Sequence, residues 1–355
     1  MINLHWFVPT AGDSRYYVGH FDKKLERKPD MEYLKQVVLA AESVGFEGVL
    51  LPTGLYCEDP WITASVLSQY TKNIRFLVAI RPDATAPMLV AHMAGTAQRM
   101  FGGRLDLQIV AGGKPEEQIK FGDYKSHDQR YERMSEFIGI LKEIWAGESK
   151  ELNGKYYKLQ VAPTLLPTPN PLPKIYIGGS SENAIEVSAK QADVHLFFGE
   201  PPEMIKDNVY RIKRMAGNRA YKVGMRLNVV TRDSSEEAWS VADRYMSSIN
   251  EGEIKLAQTR QTLSESISQK RMRSLHQGRF DKLEVSPNLW AGMGLVRGGS
   301  GTALVGSHIE VANRIIEYSQ LGINEFIFSG YPHLEEALHF GEGVMPILRK
   351  MELVL

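Results

Sequence analysis

Lys174-Ile175-Tyr176-Ile177-Gly178-Gly179-Ser180-Ser181-Glu182-Asn183-Ala184 is a short β-branched run that ends in two glycines and two serines and passes into a helix-like segment. It reads as a strand delivering a glycine turn and two hydroxyls to a helix N-terminus. Such a terminus leaves backbone N–H groups unpaired and partly positive. Glycine lets an anion approach them, so the segment suits a phosphate. Ser180 or Ser181 equally suits a helix cap, and the segment alone leaves both readings open. Working outward, the same strand-then-helix unit recurs. Short apolar runs stand at Leu4–Pro9, Gly48–Pro52, Ile74–Ile80, Leu105–Ala111, Ile175–Gly178, Val194–Phe198, Gly224–Thr231 and Glu325–Ser329. Near-continuous apolarity marks strands buried on both faces. Helical patterns lie between them at Met31–Val44, Pro60–Tyr70, Pro87–Met100, His127–Ala146, Glu182–Gln191, Pro202–Ala216, Ser235–Ile249 and Ile309–Leu321, with a last one near Leu334–Leu348. Eight such strands in alternation predict an α/β fold, a closed (β/α)8 TIM barrel. A doubly wound open sheet is the competing architecture. Its first turn usually carries G-x-G-x-x-G, and Thr10-Ala11-Gly12-Asp13-Ser14-Arg15 does not match.

The 355 residues, 43% of them hydrophobic, can bury one large core, and residues 1–355 read as a single barrel domain. Lys and Arg balance Asp and Glu at 42 each, which argues against nucleic acid or an anionic membrane held by bulk charge. One cysteine, Cys57, rules out an internal disulfide. The first residues show no signal peptide and no stretch is apolar enough to span a membrane, so a soluble, cytoplasmic protein is expected. Two insertions interrupt the alternation. Glu151–Val161 reads as a hairpin turning at Asn153-Gly154 and leads into a proline-rich connector, Pro163–Pro173. A charged stretch from Gly252 to about Pro287 reads as a mobile lid or a disordered excursion, followed by a glycine-rich segment, Gly292–Gly306.

Barrel active sites form at the C-terminal strand ends. That rule selects Thr53 and Cys57 after the second strand, and Val110 and Gly112 after the fourth. It also selects Gly179, Ser180 and Ser181 after the fifth, Arg226 and Asn228 on the seventh, and Tyr331 and His333 after the eighth. His127 and Tyr131, four apart at the start of the longest helix, share a face. Beside a phosphate turn they suit an anion cradle. As an isolated pair they would be surface or packing residues. Arg226 stands in an apolar strand and cannot shed its charge, so it needs an anion. That anion is either a barrel carboxylate or a substrate oxyanion. The nine histidines show no ligand spacing and no metal is expected. Cys57 lacks a nucleophile signature and suits an apolar filler.

These motifs resemble the two-component, FMNH2-dependent alkanesulfonate monooxygenases of the bacterial luciferase-like superfamily, from residue 2 to about residue 348. The resemblance rests on Trp6-Phe7-Val8-Pro9-Thr10, Pro52-Thr53-Gly54 with Cys57-Glu58-Asp59, and Phe76-Leu77-Val78-Ala79-Ile80-Arg81-Pro82. It continues through Gly178-Gly179-Ser180-Ser181, Gly199-Glu200-Pro201-Pro202, Ser286-Pro287-Asn288-Leu289-Trp290-Ala291-Gly292, Leu295-Val296-Arg297-Gly298-Gly299, Gly301-Thr302-Ala303-Leu304-Val305-Gly306 and Ser329-Gly330-Tyr331-Pro332-His333. It implies that reduced FMN arrives from an NAD(P)H-dependent flavin reductase. Oxygen activated on it then attacks the sulfonate sulfur, and the C–S bond breaks to give an aldehyde and sulfite. It implies substrate and activated-flavin contacts for Arg226 and Arg297, active-site hydrogen bonding for Tyr331, and flavin affinity and packing for Cys57. Flavin contacts are implied for His127, Tyr131, Ser180 and Ser181, and a homodimer or homotetramer is implied as the assembly. The chain departs from the family pattern at Ala11 and Asn228 (each for histidine), Phe198 (for tryptophan) and Leu55-Tyr56 (for Arg-Ser). A less anionic substrate, such as a sulfone or an aldehyde, is the alternative these departures raise.

Overall fold

The apolar runs become the staves of a closed parallel barrel. A computed structural model describes residues 1–15, 27–162, 166–247 and 249–354. The chain begins β1 (Asn3–Phe7), α1 (Met31–Val44), β2 (Gly48–Leu51), α2 (Pro60–Leu67), β3 (Arg75–Ile80), α3 (Pro87–Met100) and β4 (Leu105–Ile109). It continues through α4 (Pro115–Lys120), α5 (His127–Trp145), the hairpin strands β5 (Lys150–Asn153) and β6 (Lys158–Val161), β7 (Ile175–Gly178), α6 (Glu182–Gln191), β8 (Val194–Phe198) and α7 (Pro202–Ala216). Then come β9 (Lys222–Arg232), α8 (Ser235–Ser247), α9 (Glu251–Thr262), α10 (Ile267–His276), β10 (Glu284–Ser286), β11 (Leu289–Trp290) and a 3-10 turn at Gly292–Leu295. The chain ends β12 (Ala303–Ser307), α11 (His308–Gln320), β13 (Glu325–Ser329) and α12 (His333–Lys350). The ring order is β1-β2-β3-β4-β7-β8-β9-β13, every neighbouring pair parallel, and β13 closes it on β1.

Helix starts follow local chemistry. Asp30, Asp59 and Ser181 accept from backbone N–H groups of the first turns of α1, α2 and α6, satisfying donors that otherwise lack a partner. The main core lies between staves and helices. Inside the barrel, Phe7, Leu50, Leu77, Tyr176, Val194, Leu196 and Ile327 form a separate apolar plug, which keeps the site above it at the strand ends. At the opposite end, buried Glu325 accepts from Lys222 Nζ at 2.9 Å and Asn3 Nδ2 at 2.8 Å and meets His5 Nε2 at 2.7 Å.

Several elements differ from the sequence reading. The Gly252–Pro287 stretch holds two helices. It lacks an apolar stripe, since α9 buries only Ile254 and α10 only Ser268, Met272 and His276. Caps start both helices: Asn250 with Glu253 in a capping box, and Ser266 on Gln269 N–H. Within the glycine-rich segment, Ala303–Ser307 is a strand. The eleven-residue β9 outruns β8, so Lys222–Arg226 pairs with β8 and Asn228–Arg232 with β12. The hairpin turns through four residues rather than at Asn153-Gly154: Asn153 still pairs with Lys158, and Glu136 accepts from the N–H groups of Tyr156 and Tyr157. The connector's residues 163–165 and position 248 of the Ser235–Ile249 helix lie outside the described residues. No described helix is long and apolar enough to cross a membrane.

Candidate active site

The turn after β7 forms one half of the site. Gly179 adopts φ +146°, and a Cβ there would lie 2.7 Å from Ala184 Cβ and 2.9 Å from the Tyr131 hydroxyl. Only glycine fits both the backbone and the space. The two serines play different parts. Ser181 caps α6 through Ala184 N–H at 3.2 Å, while Ser180 Oγ accepts from Ser268 Oγ of α10 at 3.0 Å. Gly112, His127, Tyr131, Gly179, Ser180 and Ser181 converge on one small cavity of about 30 Å³, closed from above by Ser266, Ile267 and Ser268. The His127 and Tyr131 rings lie 5.0 Å apart. Burial raises the Tyr131 phenol above its usual range, so it stays protonated.

His195, which the sequence reading passed over, holds this turn from below. It is fully buried on β8, its Nε2 lies 2.8 Å from the Gly179 carbonyl, and burial pushes its pKa down to about 3. A neutral imidazole facing a carbonyl must carry its proton on that nitrogen. Thr53 and Val110 do not join the cradle. Val110 is half-buried and donates its N–H to Ile80 O, and Thr53 is half-buried in the loop after β2. Cys57, in the same loop, donates to Gly54 O at 3.4 Å. Burial, then the charges of Glu117, Asp59 and Glu58, lift its thiol to about 11. A thiol so protonated holds the loop and is no nucleophile.

The other half of the site is cationic and aromatic. The Arg226 guanidinium lies over the Phe7 ring at 4.4 Å, and that of Arg297 over Tyr331 at 4.9 Å. Arg226 Nε is enclosed without a partner, and no described carboxylate lies within 4.0 Å of this arginine. Burial, then the neighbouring Arg297, pushes Arg226 down to about 10. The structural ion pair that the sequence left open is therefore not formed among the described residues. His333, which the strand-end rule also selects, is buried against Tyr331 (5.0 Å between ring centroids) and Phe7 (5.7 Å). Burial, then Arg297, holds it well below its usual pKa. Its backbone N–H donates to buried Asp13 at 2.6 Å.

The positions that depart from the family pattern fall into two groups. Asn228 is committed to the frame: its amide donates to Ser300 O and Thr302 O, both at 3.0 Å, and it accepts from Ser329 Oγ at 2.6 Å. Ala11 and Phe198 are half-buried, whereas Leu55 and Tyr56 are 45% and 48% exposed.

The site combines a hydroxyl-rich turn at a helix N-terminus with two guanidinium groups, the first of them lying over Phe7 of the apolar barrel plug. Among the described residues, no cluster of histidine, cysteine or carboxylates could hold a metal ion. Comparison with known proteins finds that residues 2–325 match the luciferase-like monooxygenase family. Among solved structures, a riboflavin lyase bound to modified FMN and riboflavin is similar at 18% identity, with a TM-score of 0.82 over 100% of this chain and 93% of that one. EDTA monooxygenase from Chelativorans sp. BNC1 is similar at 15% identity, with a TM-score of 0.79 over 100% of this chain and 95% of that one. DmoA from Hyphomicrobium sulfonivorans is similar at 19% identity, with a TM-score of 0.79 over 100% of this chain and 89% of that one. At these identities the likeness is one of fold.

Proposed function

The chain belongs to the luciferase-like monooxygenase family, and from that premise we propose that it is a two-component monooxygenase using reduced FMN, O2 and an alkanesulfonate. The observation that carries the proposal is one barrel mouth holding both a phosphate-type cradle and an arginine with no carboxylate partner. The cradle fits a flavin phosphate by its donors: the hydroxyls of Ser180, Ser181 and Tyr131 and the His127 ring, at the N-terminus of α6. The 30 Å³ cavity has room for a water, not a phosphate. Ser268 must therefore draw back from Ser180 on loading, which makes α9 and α10 a lid over the cradle.

Reduced FMN, when bound, supplies the two electrons that activate O2; one oxygen atom ends in the aldehyde and the other in water, as the C–S bond breaks and sulfite leaves. The protein's own groups bind and orient. Arg226 and Arg297 hold the sulfonate oxygens and the negative charge that develops on oxygen, in a site where screening is weak. Neutral His333 and the Tyr331 phenol line the same mouth and exclude water. An NAD(P)H-dependent flavin reductase delivers the cofactor, and the assembly is a homodimer or homotetramer.

Oxygen uptake with supplied FMNH2, with and without alkanesulfonates, coupled to sulfite detection, tests this. Sulfite released only with sulfonate supports it; uptake stimulated by a sulfone or aldehyde without sulfite moves the substrate to a less anionic class. Asn228 favours that second reading, because an amide locked into the frame adds no charge to the mouth. FMN binding without oxidation of any substrate refutes both.

A further inference from the structure

We propose that the outer face of the insertion carries a second anion site, separate from the cradle, that takes a small multivalent oxyanion of the phosphate or pyrophosphate kind. The site is an open cavity of about 420 Å³ between α9 and α10, lined by Gln258, Lys270, Arg273, Ser274, Gln277 and Gly278. Its lining holds two cations, a hydroxyl and two amides, and no carboxylate. The Ser274 hydroxyl donates to Arg271 O and the Gln258 amide to Leu295 O, so the donors left for a ligand are Lys270, Arg273 and Gln277, a set that suits an oxyanion.

The charges are not otherwise spent. Lys270 and Arg273 form no ion pair within 4.0 Å among the described residues, although Arg271 between them is paired with Glu200. Arg273 Nε is enclosed with no hydrogen-bond partner. The C-terminal end of α10 favours a cation in its last turn. That accounts for the presence of Arg273 but leaves its enclosed N–H unmet. Lys270 and Arg273, three apart, share a face and repel one another until an anion lies between them.

The two faces of α10 give the site a consequence. Ser268 and Arg271 face the barrel and hold Ser180 and Glu200. Lys270, Arg273, Ser274 and Gln277 face the outer cavity, with Gln258 of α9 across from them. An oxyanion there ties α9 to α10 and stiffens the segment that closes the cradle.

The test is calorimetric titration of inorganic pyrophosphate, with inorganic phosphate as a second arm, into the full chain carrying Ser180→Ala and Ser181→Ala, so that the cradle contributes little. One saturable site is expected, tighter for pyrophosphate, and weakened at least tenfold by adding Lys270→Gln with Arg273→Gln. Arg273→Lys should restore part of the affinity. In limited proteolysis, pyrophosphate should protect residues 251–276 of the otherwise wild-type chain but not of the Lys270→Gln, Arg273→Gln variant. No saturable binding, or equal affinity with and without Lys270 and Arg273, overturns the proposal. Because the readout is binding at residues outside the cradle, it stands or falls independently of whether the cradle takes FMN.

Discussion

Replacing Arg226 by methionine should make the protein harder to unfold and nearly inactive. The ordinary guanidinium value is 12.5, and burial with Arg297 nearby brings Arg226 to about 10. At 1.36 kcal/mol per tenfold, the folded protein disfavours this cation by about 3 kcal/mol. The contact with Phe7 at 4.4 Å returns about 1–2 kcal/mol of that. The net penalty is about 1–2 kcal/mol, since no described carboxylate compensates it. Methionine is flexible enough to fill the space. Relief of that penalty should raise the unfolding temperature by about 1–3 °C, because an unfolding entropy of about 2.1 cal/mol/K per residue over 355 residues gives roughly 1.3 °C per kcal/mol. Turnover should fall by about 10²–10³, the usual cost of losing a preorganised charge in a dry site. Arg226→Lys should keep part of the activity, because charge survives while the forked geometry does not. Thermal denaturation and oxygen uptake on the same preparations give both readouts. A variant destabilised by about 3–5 kcal/mol would show that Arg226 serves a buried ion pair, and a stable variant with normal turnover would show that it does not touch the reaction. Either result refutes the reasoning.

Ser180→Ala together with Ser181→Ala should weaken reduced-FMN binding more than tenfold, since each hydrogen bond to a charged group contributes about 1.5–3 kcal/mol; an unchanged titration would remove the phosphate assignment. Gly179→Ala should lose flavin binding too, because the new Cβ meets Ala184 at 2.7 Å and the Tyr131 hydroxyl at 2.9 Å; normal binding would show that the turn is softer than its contacts imply. Burial alone would raise Glu325, but His5 and Lys222 outweigh it and hold the carboxyl at about 2 against an ordinary 4.5. Its stabilisation, about 3 kcal/mol by the same conversion, is therefore complete above pH 4.5 and lost as pH falls toward 2. Urea midpoints measured from pH 5 down to pH 2.5 should fall less steeply for Glu325→Gln, and parallel slopes would contradict this.

The barrel is legible because each stave is apolar on both faces, a pattern that needs no tertiary information to read. Helix starts are legible for a similarly local reason, since Asp30, Asp59 and Ser181 each cap within three residues of their own position. The insertion hides its helices because they carry caps but no apolar stripe: α9 buries a single residue, and its hold on the rest is polar, through Gln258 and Gln261 to the carbonyls of residues 294 and 295. Hydrophobic periodicity is blind to such a helix. The cradle is half visible for the same reason. Gly179, Ser180 and Ser181 are consecutive and announce a turn, and His127 with Tyr131 share a helix face, but His195 is a single histidine in an apolar run and His333 is marked only by standing after the last strand. Their roles depend on which carbonyl or cation the fold sets beside them. Thr53 and Val110 stand at strand ends but do not line the small cavity beside Gly179, because a strand end sets a residue near the mouth without fixing which part of it the residue lines.

Asn228 shows how a departure in sequence changes meaning once its partners are known. Read along the strand, it is a lost ionisable group two residues after Arg226. In the fold it sits where β9 leaves the barrel ring and takes β12 as its new neighbour. There its two amide hydrogens serve Ser300 O and Thr302 O, while its carbonyl oxygen accepts from Ser329. A histidine ring has one N–H or lone pair at each nitrogen, in fixed directions, and cannot satisfy all three partners. The asparagine therefore ties β12, and the loop carrying Arg297 just before it, to β9 and β13. What the mouth loses in titratable charge it gains in the fixed placement of its second arginine. Discrimination among substrates then falls on the spacing of Arg226 and Arg297 rather than on a proton at position 228. An Asn228→His variant should accordingly move Arg297 and alter KM for the sulfonate without introducing a new ionisation in the pH profile of kcat. A new ionisation with KM unchanged would return position 228 to the reaction itself.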